Sequence, residues 1–421
     1  MKYRNSSKLP RQIARELGVE ALVRGSLVRD SDRLRLELQL IDGMTARELW
    51  RGGTEGSLTD VLILQRDLAK LIAAQIGDKE TKHVPAARTV DSESYDLYLQ
   101  GAHLSDLSPF GRIEERIELF EKAIAADPTF AQPHAALART YLYASAPGKI
   151  PYLEACMRAR SAAERAVQLD AALPEGLGIL GFVKWACDRD WTASGSYFRR
   201  ALELNPNDAD TVGDYAVYLD MLGRNNEAIA TQKRAVQLDP LTHRRWRLGV
   251  FYLFGRRYDE AIAEFRKILL VDPSELHFHR LIAMAYAGKG AYAEAVAAAE
   301  KVFEMAQEQG LTGSSRDGFE ATLAFALAAA GERRRAEEII RRLQRVAEES
   351  PGWWTFWLMH ALSAIGEPDQ AFALMEKGLE RGSWAEAQSL WRGAGLDRLR
   401  SDPRYHALMK RFGMPVEQMG E

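Results

Sequence analysis

The sequence predicts a mostly α protein, an array of helical hairpins preceded by a small partial α/β module. Three observations predict this. One helix-ending pattern recurs about every 34 residues, a period at which helical-hairpin arrays repeat. Short glycine-containing turns fall between successive helix pairs. The stretch RLRLELQLIDG, residues 33–43, alternates apolar and polar residues so strictly that only a strand fits it.

The first 76 residues form the module. AREL, residues 14–17, ends a short helix at Gly18, where a glycine closes a helix readily. VEALVRGSLVRD then reads as a strand, and RLRLELQLID as its hairpin partner, with Leu34, Leu36, Leu38 and Leu40 on one face and Arg33, Arg35, Glu37 and Gln39 on the other. ARELW begins a third strand that the glycines of RGGTEG, residues 51–56, should leave short and loose. Ser57 and Asp60 open a helix whose stripe is Val61, Leu64, Leu68, Leu71 and Ile72. Such a sheet keeps an unpaired edge, so a homo-oligomer through the 21–41 hairpin, or a missing part of a longer parent chain, is expected to complete it.

A linker, 77–91, leads to the array, 92–380, and a capping segment, 381–421, follows it. The segments FEKAIAADP, AERAVQLDA, FRRALELNP, QKRAVQLDP and FRKILLVDP place Asp127, Asp170, Asn205, Asp239 and Asp272 at separations of 43, 35, 34 and 33. Prolines 128, 206, 240 and 273 forbid continuation of four of these helices. Glycines 223, 255, 290, 331 and 366 mark the turns between paired helices, and APGKIP should bulge from one face.

This pattern resembles the tetratricopeptide repeats. Leu248, Gly249, Tyr252, Ala261 and Phe265 carry the resemblance in one unit, and His134, Leu137, Ala138 and Tyr141 in another. A third unit is poorer, since Gln232 stands at its aromatic position. The resemblance implies a superhelix whose first helices line a concave groove for a protein or peptide partner. Carried over repeat by repeat, it implies binding by Gln132, Arg139, Tyr143, Asp210, Asp220, His243, Trp246, Phe254, His277 and Arg280. Charge reversal of Arg139 with Arg280 should then weaken a partner.

The module resembles the second half of the TolB-amino-terminal-like (FlgO-like) domain of bacterial multidomain signalling proteins. Ala14 to Val19, Gly25, Ser26, Gln39 to Asp42, Leu49, Trp50, Leu58, Asp60, Val61, Gln65 and Ala69 carry this resemblance, and LDRLRSDPRYHALMKRFGMP at the other end agrees with it. It implies a noncatalytic interaction scaffold in signal transduction. The alternative is the regulatory or sensor half of a protein whose adenylate cyclase, kinase or winged-helix DNA-binding head is absent. The expected compartment is the cytoplasm, or the periplasm if a membrane segment precedes the chain in a longer parent.

Composition narrows the chemistry. With 56 basic and 59 acidic residues there is no global field to draw nucleic acid or an anionic membrane. No phosphate loop, nucleophile elbow or metal-ligand spacing occurs, so no catalytic residue, metal or cofactor is expected. Cys156 and Cys187 lack any ligand or redox spacing and read as free thiols in a reducing compartment. His277 and His279, two apart on a helix, do not share a face and read as solvent-facing. The arginines from Arg333 to Arg345 are interleaved with Glu332, Glu337 and Glu338, which speaks against direct nucleic-acid binding. Five tryptophans between 353 and 391 are expected to seal the last repeats.

Overall fold

A computed structural model describes residues 8–30, 33–76, 89–107, 112–145, 150–239, 245–270, 272–349, 354–381 and 393–415. Helix α1 (Pro10–Leu17) ends in left-handed Gly18 and leads into β1 (Ala21–Asp30), β2 (Arg33–Asp42) and β3 (Glu48–Ser57). The three strands form an antiparallel sheet in the order β1-β2-β3. Leu36 pairs with Leu27 on one side and Thr54 on the other, so the leucine face continues across the sheet. Contrary to the sequence expectation, β3 is a full strand that contains RGGTEG. Its glycines fit close neighbours: a Cβ at Gly53 would lie 2.3 Å from the Leu36 carbonyl oxygen.

Helix α2 (Val61–Ile76) covers the leucine face from the β3 side. Leu34, Val61 and Leu64 then join Val90, Tyr95 and Phe130 in one core, which ties the sheet to the first repeat. The Arg29 guanidinium bonds both carboxylate oxygens of Asp96 at 2.9 and 3.2 Å across the same junction.

The array follows as antiparallel pairs: α3 (Ser92–Leu107) with α4 (Ile113–Ala126), α5 (Ala131–Ser145) with α6 (Tyr152–Leu169), α7 (Pro174–Ala186) with α8 (Trp191–Leu204), and α9 (Ala209–Met221) with α10 (Asn225–Leu238). Four more continue it: α11 (Trp246–Phe254) with α12 (Tyr258–Leu269), α13 (Leu276–Lys289) with α14 (Tyr292–Glu308), α15 (Gly313–Ala329) with α16 (Arg333–Glu349), and α17 (Thr355–Ile365) with α18 (Pro368–Arg381). Short helices α19 (Asp397–Arg400) and α20 (Pro403–Arg411) are the last helices among the described residues.

The repeating Asp or Asn has a local job. At Asp127, Asp170, Asn205 and Asp272 the side chain accepts the backbone N–H two residues on, at 2.9 to 3.1 Å, and so stops the helix and starts the turn. Within a pair, small residues meet large ones: Phe265 is fully buried, and a Cβ at Gly249 would lie 2.5 Å from its ring. Gln232 is buried in the corresponding place of its own unit.

Turns inside the pairs use left-handed glycines at 223, 290, 331 and 366. Three pairs differ, because Arg112, Arg189 and Arg256 adopt the left-handed conformation instead, at φ 49°, 59° and 58°. Gly255, expected to make that turn, has φ −79° and is a glycine for another reason, since a Cβ there would meet Asn225 Oδ1 at 2.1 Å.

The cysteine expectation is corrected. Cys156 on α6 and Cys187 at the end of α7 form a disulfide, with Cα atoms 5.6 Å apart. Their 31-residue separation carries no motif, because only the packing of α6 against α7 brings them together. Trp354 and Trp357 are buried in the last pair, whereas Trp353, Trp384 and Trp391 lie outside the described residues, as does most of APGKIP.

Candidate protein-binding face

The first helices of successive pairs carry the residues expected to bind. Arg139 on α5 donates to Asp214 of α9 at 2.5 Å, and Arg247 of α11 donates to the other Asp214 oxygen at 3.0 Å. Arg247 also donates to the Tyr143 hydroxyl at 3.4 Å, closing a network drawn from three helices. The Asp214 side chain is 1% exposed and that of Arg247 4%. Burial opposes the charge on Arg139, yet Asp214 raises its pKa above the ordinary arginine value. The middle of the inner face is therefore filled by its own side chains.

Two chambers flank this centre. One, of about 200 Å³, is lined by Tyr98, Arg116, Gln132, Arg139, Glu175 and Asp210 among others. Burial lowers the Arg116 pKa to about 10, with the Arg139 charge acting in the same direction. The other chamber, of about 430 Å³, is lined by Glu275, His277, Arg280, Gln309 and Phe319 among others. There the Arg280 guanidinium lies 5.4 Å from the Phe319 ring and 4.5 Å from that of Trp357. Burial lowers its pKa to about 9 and that of His277 to about 3, so His277 is neutral and its Nδ1 accepts from Arg280 at 2.6 Å. The solvent-facing reading of the two histidines is thus corrected. His277 packs half-buried beside Arg280, and His279, also half-buried, lies with its Nε2 2.9 Å from the Pro273 carbonyl oxygen.

Of the ten residues named from the sequence, Gln132, Arg139 and Asp210 meet in the first chamber, Tyr143 joins the central network, and His277 and Arg280 share the second chamber. Trp246 and Phe254 are half-buried and pack on the main core. Asp220 is fully enclosed, accepting from the Asn225 side chain at 2.9 Å, and so holds a turn between paired helices. His243 lies outside the described residues. Sequence reasoning missed Asp214, Arg247 and Arg116. A signal existed, because TVGDYAVYL and WRLGVFY each place one charge inside an otherwise apolar helix.

On α16 three of the six arginines are held by carboxylates: Arg333 by Glu337 at 2.6 Å, Arg335 by Glu300 and Glu332 at 2.7 Å, and Arg342 by Asp317 and Glu320. Among the described residues no cluster of three metal-ligand side chains occurs, and no helix is long and apolar enough to cross a membrane.

Tetratricopeptide repeat family models match residues 197–230 and 243–275. Transcriptional regulator HilA of Salmonella typhimurium is 28% identical over 181 residues, 42% of this chain and 32% of that protein. Putative adenylate cyclase 3 of Rhizobium meliloti is 28% identical over 182 residues, 41% of this chain and 30% of that protein. The chain thus matches about a third of the length of either relative. Among solved structures, a thermophilic TPR protein of Thermus thermophilus aligns at 24% identity and a TM-score of 0.38, covering 46% of this chain and 98% of that one.

Proposed function

We propose that the chain is a noncatalytic protein-interaction scaffold that holds a partner segment at the ends of its inner face. The observation that carries this reading is the division of that face. Asp214, Arg139 and Arg247 occupy the centre, and the two chambers beside it combine aromatic walls with half-buried polar groups, the mixture that anchors a partner. A partner would therefore engage Gln132 and Asp210, or His277 and Arg280, rather than run unbroken along the array. Reversing the charge of Arg139 would place a second carboxylate beside buried Asp214, so its effect on binding would be mixed with a loss of folding. Asp210→Arg with Gln132→Ala is the cleaner test: affinity purification should lose the specific partner while circular dichroism stays unchanged. Retention of every partner at wild-type level by this variant and by His277→Ala in the other chamber would remove this reading.

A second reading has its own support. The two relatives above are named for different outputs, a transcriptional regulator and an adenylate cyclase, and each matches over a comparable stretch. On this reading the array, with the TolB-like module ahead of it, is the sensor half of a bacterial signalling protein, and a head domain produces the output. An in-frame head encoded upstream of Met1 would support it, and a stop codon directly upstream would oppose it.

The sheet edge is proposed as a homo-oligomeric contact. Strand β1 lies at the edge of the sheet, with Val23 49% and Leu27 60% exposed on the leucine face. Antiparallel pairing of two copies about Leu27 would set Arg24 opposite Asp30 of the other copy. Leu27→Lys should convert a dimer to a monomer in sedimentation; a wild-type monomer at all concentrations would dispose of the contact.

A further inference from the structure

Two of the three arginines that take the left-handed conformation inside the pairs, Arg189 and Arg256, meet the C-terminal segment. Arg256 donates to both carboxylate oxygens of Asp397 at 2.6 Å. Arg189 lies against Gly413, where an added Cβ would sit 3.1 Å from the Arg189 Cβ. Two residues on, the Trp191 indole N–H donates to the Gly413 carbonyl at 2.7 Å, joining positions 222 apart. The left-handed conformation is unfavourable for a residue with a Cβ, and among the described residues of the array only Arg112 besides these two adopts it without glycine. Residues 393–415 therefore act as a clasp. They are fixed to the last pair through Arg398 to the Ala364 carbonyl, Arg404 to Asp369 and Arg411 to Glu376, and they reach back to two turns in the middle of the array.

The turn that receives Gly413 is tied to α6. Tyr152 donates to the Ala186 carbonyl, Arg160 pairs with Asp188, and the Cys156–Cys187 disulfide links the same two elements covalently. Cys187 directly precedes Asp188 and Arg189, so the crosslink anchors the clasp's receiving surface. Cys156 is 4% exposed, whereas Cys187 is only half-buried and offers the sulfur that an attacking thiolate reaches.

We propose that Cys156–Cys187 is a reversible thiol switch governing whether the 393–415 clasp stays docked on the Arg189–Trp191 turn. A dithiol reductant supplies the electrons. Its thiolate attacks Cys187 Sγ and expels Cys156 as a thiolate, which takes up a proton. The reductant's second thiol then resolves the mixed disulfide, releasing Cys187 as a thiol and leaving as a cyclic disulfide. Oxidation by a disulfide such as oxidised glutathione reverses the change. With the crosslink open, the turn loses its covalent tie to α6, and the clasp's hold through Trp191 weakens.

The test is amide exchange read by mass spectrometry on the full chain, oxidised and after dithiothreitol, with thiol alkylation to count free cysteines. Trp191→Phe combined with Asp397→Asn, disulfide intact, marks the undocked state. The expected result is exchange at least about tenfold faster in residues 396–414 on reduction, with α13 to α16 unchanged and glutathione disulfide restoring protection. Cys156→Ala with Cys187→Ala should behave as the reduced chain. Unchanged exchange in 396–414 overturns the proposal. So does a uniform rise through the whole array, which would make the bond a general staple, or two thiols that alkylate freely and never reoxidise.

Discussion

Arg139 and Asp214, 75 positions apart, form an ion pair that joins α5 to α9 past the intervening α7. Arg247 completes it from a third helix, so one carboxylate balances two guanidinium groups in a nearly dry site. Removing that carboxylate leaves both charges buried without it. Asp214→Ala should cost about 3–5 kcal/mol in urea unfolding, and Asp214→Asn less. A loss under about 1 kcal/mol would mean that water reaches the site.

The repeat register makes a separate prediction. Ala228 and Ala261 are fully buried at the crossing of paired helices. Leucine at either position should overpack the contact and destabilise by about 1–3 kcal/mol. An unchanged melting temperature would show that these faces do not meet.

His360 makes stability depend on pH. It is fully buried beside Phe325 and Phe356, and a Cβ on Gly395 would lie 2.3 Å from its Nδ1. Burial first, and then the Arg400 charge against the opposing Asp397, lowers its pKa from 6.5 to about 3. The unfolded chain therefore binds this proton between those values and the folded chain does not. Its contribution is complete above pH 6.5 and is lost as pH falls toward 3, by about 2 kcal/mol at pH 5. Melting temperatures measured from about pH 7.5 to about pH 4.5 should fall less steeply in His360→Leu than in the wild type.

The disulfide closes a 31-residue separation, which in the chain-entropy description corresponds to about 3–4 kcal/mol of stability. Cys156→Ala with Cys187→Ala should lower the melting temperature accordingly. Dithiothreitol should shift the wild type and leave the variant where it is.

The legibility of the chain follows the range of its interactions. Asp127, Asp170, Asn205 and Asp272 act on the N–H two residues away, so a single pass along the sequence finds every one. The same holds for the leucine face of β2, where a period of two reports burial directly. The pairing of Arg139 and Tyr143 with Asp214 and Arg247 was not legible, because those contacts depend on how tightly the superhelix winds.

The sequence by itself determined the element types, the repeat and the module ahead of it, because period, capping and turn chemistry act over a few residues. The tertiary structure alone decided which inner positions fill the centre, that Cys156 bonds Cys187, and that Trp191 meets Gly413. The disulfide depends on how α6 packs on α7, and the other two depend on crossing angles accumulated over successive helix pairs. A small rotation per pair adds up along the array, and no local signal records the sum.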